Sequence, residues 1–196
     1  MLIEGLDDGT VWLSPPVPRD IDDLARICQH SSLADWTPLP VPYTRLDAER
    51  FVEQTVPQGW ANRTPTWAIR TAPDGPVAGS IGLLGREEPF AEIGYWLAPR
   101  YRSRGLATTA MNLVCQFGFR TDTLALHRIE WRAFVGNHAS ARVARRAGFR
   151  FEGTLRGSAM HRGTMRDCWV AGRLRDDPPG PAPDWPDGVG AECGRE

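Results

Sequence analysis

The most informative run of this chain is residues 92–114, EIGYWLAPRYRSRGLATTAMNLV. Its first six residues alternate as a strand ending at Leu97. A loop from Ala98 to Arg104 carries three arginines, and Gly105-Leu106-Ala107 then opens a helix. Leu106, Ala110, Leu113, Val114 and Phe117 recur at helical spacing from there. The start of a helix has N–H groups without intrahelical partners and a positive partial charge. A diphosphate can rest there on backbone amides alone. Glycine at 105 permits close approach, Ala107 keeps the next turn slim, and the arginines of the loop can add charge-assisted bonds.

Outward from this run, the flanking segments read as alternating elements. Val11–Leu13 is a short strand, and Asp20 is a plausible cap for a helix through Ile21, Leu24, Ala25 and Cys28. Thr44-Arg45-Leu46-Asp47 reads as a capping-box variant that starts a second helix, expected to stop before Pro57. Strand-like runs 66–71 and 77–84 surround the turn Pro73-Asp74-Gly75. After the central helix come a strand at 127–135, a helix capped by Asn137 and ended by Gly148, and strands at 149–155 and 167–174. Strands first paired by hairpins and then separated by helices imply an α/β or α+β fold with a mixed sheet. One domain is expected over residues 1–175. From Asp176 the chain has five Pro, four Gly and six acidic residues, so 176–196 is expected to be a disordered tail.

Composition narrows the function. With 196 residues and 41% hydrophobic content, the chain can bury one core. It has no run of eighteen apolar residues and no basic, apolar leader at its start, so a cytoplasmic location without membrane association is expected. Cys28, Cys115, Cys168 and Cys193 are widely spaced and the four histidines are scattered, which predicts reduced thiols and no metal. All 23 basic residues are arginine; without lysine, neither a Walker A site nor a Schiff base can form. Charge is unevenly distributed: 7 Arg against 14 acidic residues in 1–97, and 15 Arg against 4 in 98–175. The basic half suits an anionic partner, and no aromatic-interleaved basic motif points to nucleic acid.

Arg102-x-x-Gly105-x-Ala107, between a strand and an amphipathic helix, resembles the [Q/R]-x-x-G-x-[G/A] signature of the GCN5-related N-acetyltransferase (GNAT) superfamily. Asn137-His138-Ala139-Ser140, then Ala147-Gly148-Phe149 and Glu152-Gly153, resemble the RimJ/RimL-like branch that acetylates ribosomal-protein N-termini. The loop PVPYTRLDAERFV and Asp167-Cys168-Trp169 are similar to that branch as well, so the likeness spans roughly residues 10–175. It implies a mixed, mostly antiparallel sheet, splayed between its fourth and fifth strands, here those at 92–97 and 127–135. Pantetheine of acetyl-CoA would lie in the gap as an added strand. The resemblance implies cofactor contacts at Trp96, Leu97, Ala98, Arg102, Arg104, Gly105, Leu106, Ala107, Thr108, Asn137 and Ser140. Arg145, with Arg146, is a candidate for the adenosine 3′-phosphate, and a homodimer is common among such proteins.

The implied reaction is direct attack of a primary amine on the thioester in a ternary complex. Glu92, in Phe90-Ala91-Glu92-Ile93, resembles the base-bearing strand of histone-acetylating relatives; it is the candidate base, direct or through water. Ser140 is the candidate proton donor to the CoA sulfur. The family's usual tyrosine donor has no counterpart, since no tyrosine follows Tyr101. The glutamate credited as base in some RimL-like enzymes falls nearest Ala159, which cannot serve; Glu152 reads as structural and His161 as a loop residue. Trp36 and Tyr43, with Trp60, are candidates to line the acceptor side. The acceptor stays open between a protein N-terminus, peptide, antibiotic or polyamine. An alternative is a non-catalytic acyl-CoA-binding module on the same fold. A dinucleotide-binding Rossmann unit is disfavoured, because no G-x-G-x-x-G follows the first strand.

Overall fold

The structure is a computed structural model that describes residues 3–85 and 89–189. Eight strands form one sheet in the order β1-β2-β3-β4-β5-β6-β8-β7. They are β1 (Leu6–Asp7), β2 (Trp12–Ser14), β3 (Thr66–Arg70), β4 (Gly79–Gly85), β5 (Phe90–Leu97), β6 (Arg128–Phe134), β7 (Arg150–His161) and β8 (Thr164–Leu174). Every adjacent pair is antiparallel except β5 and β6, whose parallel crossover runs through helix α5 (Leu106–Phe119). The mixed, mostly antiparallel sheet expected from the sequence is therefore present. The extra two-residue β1 makes its parting strands the fifth and sixth.

The other helices are α1 (Ile21–Cys28), α2 (Ser31–Ala34), α3 (Arg45–Arg50), α4 (Val56–Ala61) and α6 (His138–Arg146). Period-two alternation splits the sheet's side chains between two cores. Leu13, Trp67, Ile69, Ile81, Leu83, Ile93, Ile129 and Trp131 pack with α5 and α6. Ala68 and Ala98, with Trp96 against them, pack with α1, α2 and α3. On α5, Ala110, Met111, Val114 and Cys115 have no exposed surface, and each large apolar side chain so buried stabilises by ~1.5–3 kcal/mol.

One local reading holds and three change. Thr44 and Asp47 form the expected reciprocal cap, with Thr44 N–H to Asp47 Oδ2 at 2.8 Å and Asp47 N–H to Thr44 Oγ1 at 3.2 Å. The helix does not stop before Pro57. A π turn over Phe51–Thr55 breaks the i→i−4 ladder, and Pro57 enters α4 in its first turn, where its missing N–H costs no bond. Asp20 does not cap α1 by side chain; it turns inward to a buried ion pair with Arg70, at 2.7 Å. The last two strands are longer than expected, because Arg162 and Gly163, at φ 48 and 79, make a tight hairpin turn that the polar sequence hid. His161 is thus a strand residue.

Residues 176–189 of the segment expected to be a disordered tail are described, and Ala182 and Trp185 within it are buried in the α5–α6 core. The Trp185 ring lies 5.8 Å from that of Trp131 and 5.5 Å from that of Phe151, and its Nε1–H donates to Phe149 O at 2.9 Å. Residues 190–196, with Cys193, lie outside the described residues. Among the described residues, no helix is long and apolar enough to cross a membrane.

Candidate active site

β5 and β6 pair only from Phe90–Ile93 against Arg128–Trp131. Beyond this, β5 stays with β4, with Trp96 opposite Ser80 and Leu97 opposite Gly79. β6 stays with β8, through Phe134 opposite Cys168. A V-shaped gap opens between them, its apex at Ile93 and Trp131. The Ala98 N–H is bonded to Ala78 O at 2.9 Å, which fixes the phase of the β4–β5 ladder. Residues alternate in the edge they address, so Trp96 faces β4 while Tyr95 and Leu97 turn their backbone groups into the gap. An amide-bearing chain can bond there as a strand would. Of the two expected cofactor contacts at the end of β5, the Leu97 amide faces the gap, whereas that of Ala98 is already engaged.

At the mouth of the gap, Gly105 caps α5 at φ 79 and Ser103 adopts φ 60. The first α5 bond is Thr109 N–H to Gly105 O, so the preceding amides meet no helical acceptor. A Cβ at 105 would meet nothing within 4 Å; left-handed backbone, not space, is what calls for glycine there. Leu106 and Ala107 are buried and Thr108 is half-buried, so Leu106 and Ala107 can serve a ligand only through their amides. The arginines are arranged less simply. Arg102 folds back, donating from Nε to Leu97 O at 3.1 Å and from Nη2 to Ser32 Oγ at 2.9 Å. Its partial burial lowers its pKa from the usual arginine value. Arg100 and Arg104 lie over the Tyr101 ring, at 4.9 and 5.9 Å. The helix start and the β5 edge fit a diphosphate followed by an amide chain; Arg102 fits a role in holding the end of β5.

At the apex, three elements meet on one hydroxyl. Ser140, in the first turn of α6, accepts from Tyr95 Oη at 3.1 Å and from Trp131 Nε1 at 3.0 Å. Its own N–H donates to the capping Asn137 Oδ1 at 3.2 Å. Tyr95 is the residue that sequence reasoning passed over. No tyrosine follows Tyr101, yet Tyr95, on β5, meets the candidate donor Ser140. Desolvation raises its pKa to about 12, against smaller lowering effects from the Ser140 bond and from Arg102 and Arg142. The signal available was the strand period: Tyr95 shares the side of Ile93 and faces α6.

Glu92 sits opposite Glu130, on the last paired rungs. It shares a face with Trp96, not with Tyr95. It lies three positions before Tyr95, ~10 Å along a strand.

The acceptor candidates part ways. Trp36 is 38% exposed, under the Arg166 guanidinium at 5.4 Å, which also lies 4.6 Å from the Phe134 ring. Arg162 donates to Ala34 O at 3.0 Å and to Leu39 O at 3.2 Å, tying the loop after α2 to the β7–β8 hairpin. The Phe134 and His161 rings meet at a tilt, 4.7 Å apart, as do those of His138 and Trp169 at 5.2 Å. Tyr43, by contrast, is buried beside Cys28, under α1 and α3, and burial raises its pKa. Trp60 is buried against Trp67 and Phe117. Both are packing residues, as apolar neighbours far apart in sequence required. Glu152 forms a two-bond ion pair with Arg128, at 2.5 and 2.6 Å, in keeping with a structural part. Arg145 Nε reaches Ala182 O at 3.4 Å, and Ala159 lies on β7 opposite Arg166. Among the described residues, no group of three or more His, Cys, Asp or Glu could hold a metal.

Comparison with known proteins agrees with this geometry. Residues 10–150 match the acetyltransferase (GNAT) domain family. The uncharacterized N-acetyltransferase YoaA of Bacillus subtilis is 34% identical over 106 residues, covering 53% of this chain and 59% of that protein. The chain thus spans somewhat more than half the length of this curated relative. Mycobacterium smegmatis RimJ, solved with CoA-disulfide, superposes with a TM-score of 0.75 at 24% identity, over 87% of this chain and 86% of that one. RimL, described as a ribosomal L7/L12 α-N-protein acetyltransferase and solved with coenzyme A, gives 0.77 at 21% identity, over 87% and 98%.

Proposed function

The chain belongs to the acetyltransferase (GNAT) family, and from that premise we propose that it transfers the acetyl group of acetyl-CoA to a primary amine, a protein N-terminal α-amine above all. The observation that carries this reading is the gap between β5 and β6, with the amides of the α5 start at its mouth. The names and fold of RimJ and RimL support the α-amine. So does the base: Glu92 lies three positions from Tyr95 and on the other face of β5, far enough to work through water. An α-amine, with a pKa of ~7.7–8.0, is partly neutral at pH 7, whereas a lysine at ~10.4 needs stronger help.

Acetyl-CoA supplies the acyl group already activated as a thioester. Amides 103–108 hold its diphosphate, and the backbone of Tyr95 and Leu97 aligns the pantetheine, with Leu97 N–H polarising the carbonyl. Asn137 holds the first turn of α6 in place. Water relayed to Glu92 takes the proton of the attacking nitrogen. Ser140 returns a proton to the departing sulfur. Trp36 flanks the amine's approach.

Thiol release from acetyl-CoA, screened against peptides with free Ala or Ser termini and against small polyamines, tests the reading. Turnover with the peptides is expected. Ser140→Ala should lower kcat about ten- to hundred-fold. That is at or below the ~10²–10⁴ usual for acid–base catalysis, because a thiol of pKa ~8.5 leaves fairly well unaided. Glu92→Gln should also lose turnover, and both should keep CoA affinity. Tight CoA binding without turnover on any acceptor would make the protein an acyl-CoA-binding module instead.

A further inference from the structure

Ser140 Oγ stands where β5, β6 and α6 meet, at the apex of the gap. A hydroxyl has two lone pairs and one proton. Indole Nε1–H can only donate, so the Trp131 bond at 3.0 Å fills one lone pair. The Tyr95 bond at 3.1 Å fills the second. Both donors are fixed from below: Trp131 is 1% exposed and packed against Trp185, and Tyr95 packs on the same core. The Ser140 amide is held by Asn137, which fixes the Cβ from the other side. The hydroxyl is left with one polar vector, its own O–H.

We propose that Tyr95 and Trp131 are positioning residues that occupy both lone pairs of Ser140 Oγ and so turn its proton into the gap, toward the sulfur of CoA. The inference rests on the assignment of Ser140 as the proton donor and adds how that serine is aimed. Burial keeps the Tyr95 phenol protonated across the working pH range, so it remains a donor to the serine. The chemistry balances without further reagents. The nitrogen–carbon bond forms, the carbon–sulfur bond breaks, and the serine proton passes to sulfur. The neutral amine attacks; the proton its nitrogen sheds on becoming an amide passes through water to Glu92, and water afterwards returns one proton to the serine. Tyr95 and Trp131 give up no proton; their hydrogen bonds stabilise the serine oxygen while it is short of one.

The test needs no acceptor. Coenzyme A is bound to the full-length chain, affinity is measured by calorimetry, and the bound thiol is titrated by thiolate ultraviolet absorbance. In the parent chain, a directed O–H should lower the bound thiol pKa by about one unit below its free value of ~8.5. Tyr95→Phe keeps ring and packing and should remove most of that shift, with CoA affinity within about twofold. Tyr95→Phe combined with Ser140→Ala should be no worse than Ser140→Ala alone, since both act on one proton. Trp131→Phe, checked by its melting temperature because the indole is core, should behave as Tyr95→Phe does. With a peptide that is turned over, Tyr95→Phe should lower kcat about three- to tenfold and leave KM for acetyl-CoA unchanged.

The two ideas fail separately. An unshifted thiol in the parent, or no effect of Ser140→Ala, defeats the serine assignment and this inference with it. A shift abolished by Ser140→Ala but untouched by Tyr95→Phe and Trp131→Phe defeats the aiming alone. Additive losses in the double variant, or a larger loss in Tyr95→Phe than in Ser140→Ala, defeat it as well.

Discussion

The two sides of the gap are built from different materials. The side proposed for the cofactor is mainly main chain: the amides of the α5 start, the outward edge of Tyr95 and Leu97, and a glycine chosen for its φ. The side proposed for the acceptor is side chains. Arg162 holds loop carbonyls 123 and 128 positions away, Arg166 lies over Trp36 and Phe134, and the rings of His138 and His161 meet neighbouring rings at a tilt. Main-chain recognition tolerates most sequence change so long as the backbone keeps its shape, so it suits a ligand that stays constant. Side-chain recognition changes with single substitutions, so it suits a ligand that differs between relatives.

Perturbations ordered by size test this contrast. The largest acts on neither side: Asp20→Ala leaves Arg70 buried without its carboxylate, and should cost ~3–5 kcal/mol in denaturant unfolding while the remaining folded fraction binds CoA normally. Next, alkaline pH should weaken the cores beneath both sides. Burial raises the thiol pKa of Cys115, on the inner face of α5, and of Cys28, at the end of α1 beside Tyr43, each to about 12; Arg173 and Tyr43 offset this in part. A raised folded-state pKa means full stability below the unfolded value of ~8.5 and loss as pH climbs toward 12. Each thiol then removes about 1.4 kcal/mol per pH unit above 8.5, and thermal melts from pH 7 to 10 would show it.

Gly105→Val should act on the cofactor side alone. A β-branched residue at φ 79 strains the helix cap by ~1–3 kcal/mol, and CoA affinity by calorimetry should fall about tenfold or more. The smallest effect belongs to Arg162→Ala, which frees the acceptor loop. KM for the acceptor should rise about two- to fivefold with CoA affinity unchanged, since a partly exposed tether of this kind contributes ~1–2 kcal/mol at most. Equal effects of these last two on both ligands would erase the contrast.

The same contrast explains what could be read from the sequence. The cofactor side is local: strand, arginine loop, glycine and helix lie within Glu92–Val114, and the positive φ falls on Gly105 as the pattern demands. The capping of Thr44 by Asp47 and of α6 by Asn137 is equally local. Tyr43 and Trp60 misled because an aromatic residue in a proline-rich or polar segment reads the same whether it faces a ligand or a core. Pro57 misled because a π turn upstream removed the clash it would otherwise cause. For Tyr95 the strand period gives the side it faces but not its partner, which lies 45 residues away on another element.

The segment after β8 has a practical meaning. Trp185 packs against Trp131, the indole that touches Ser140, so the outermost described stretch of chain stands two contacts from the proposed proton donor. A fragment trimmed at the family boundary, or at the last strand, would bare that indole to water. Its melting point and activity would describe a wounded protein and not a minimal one.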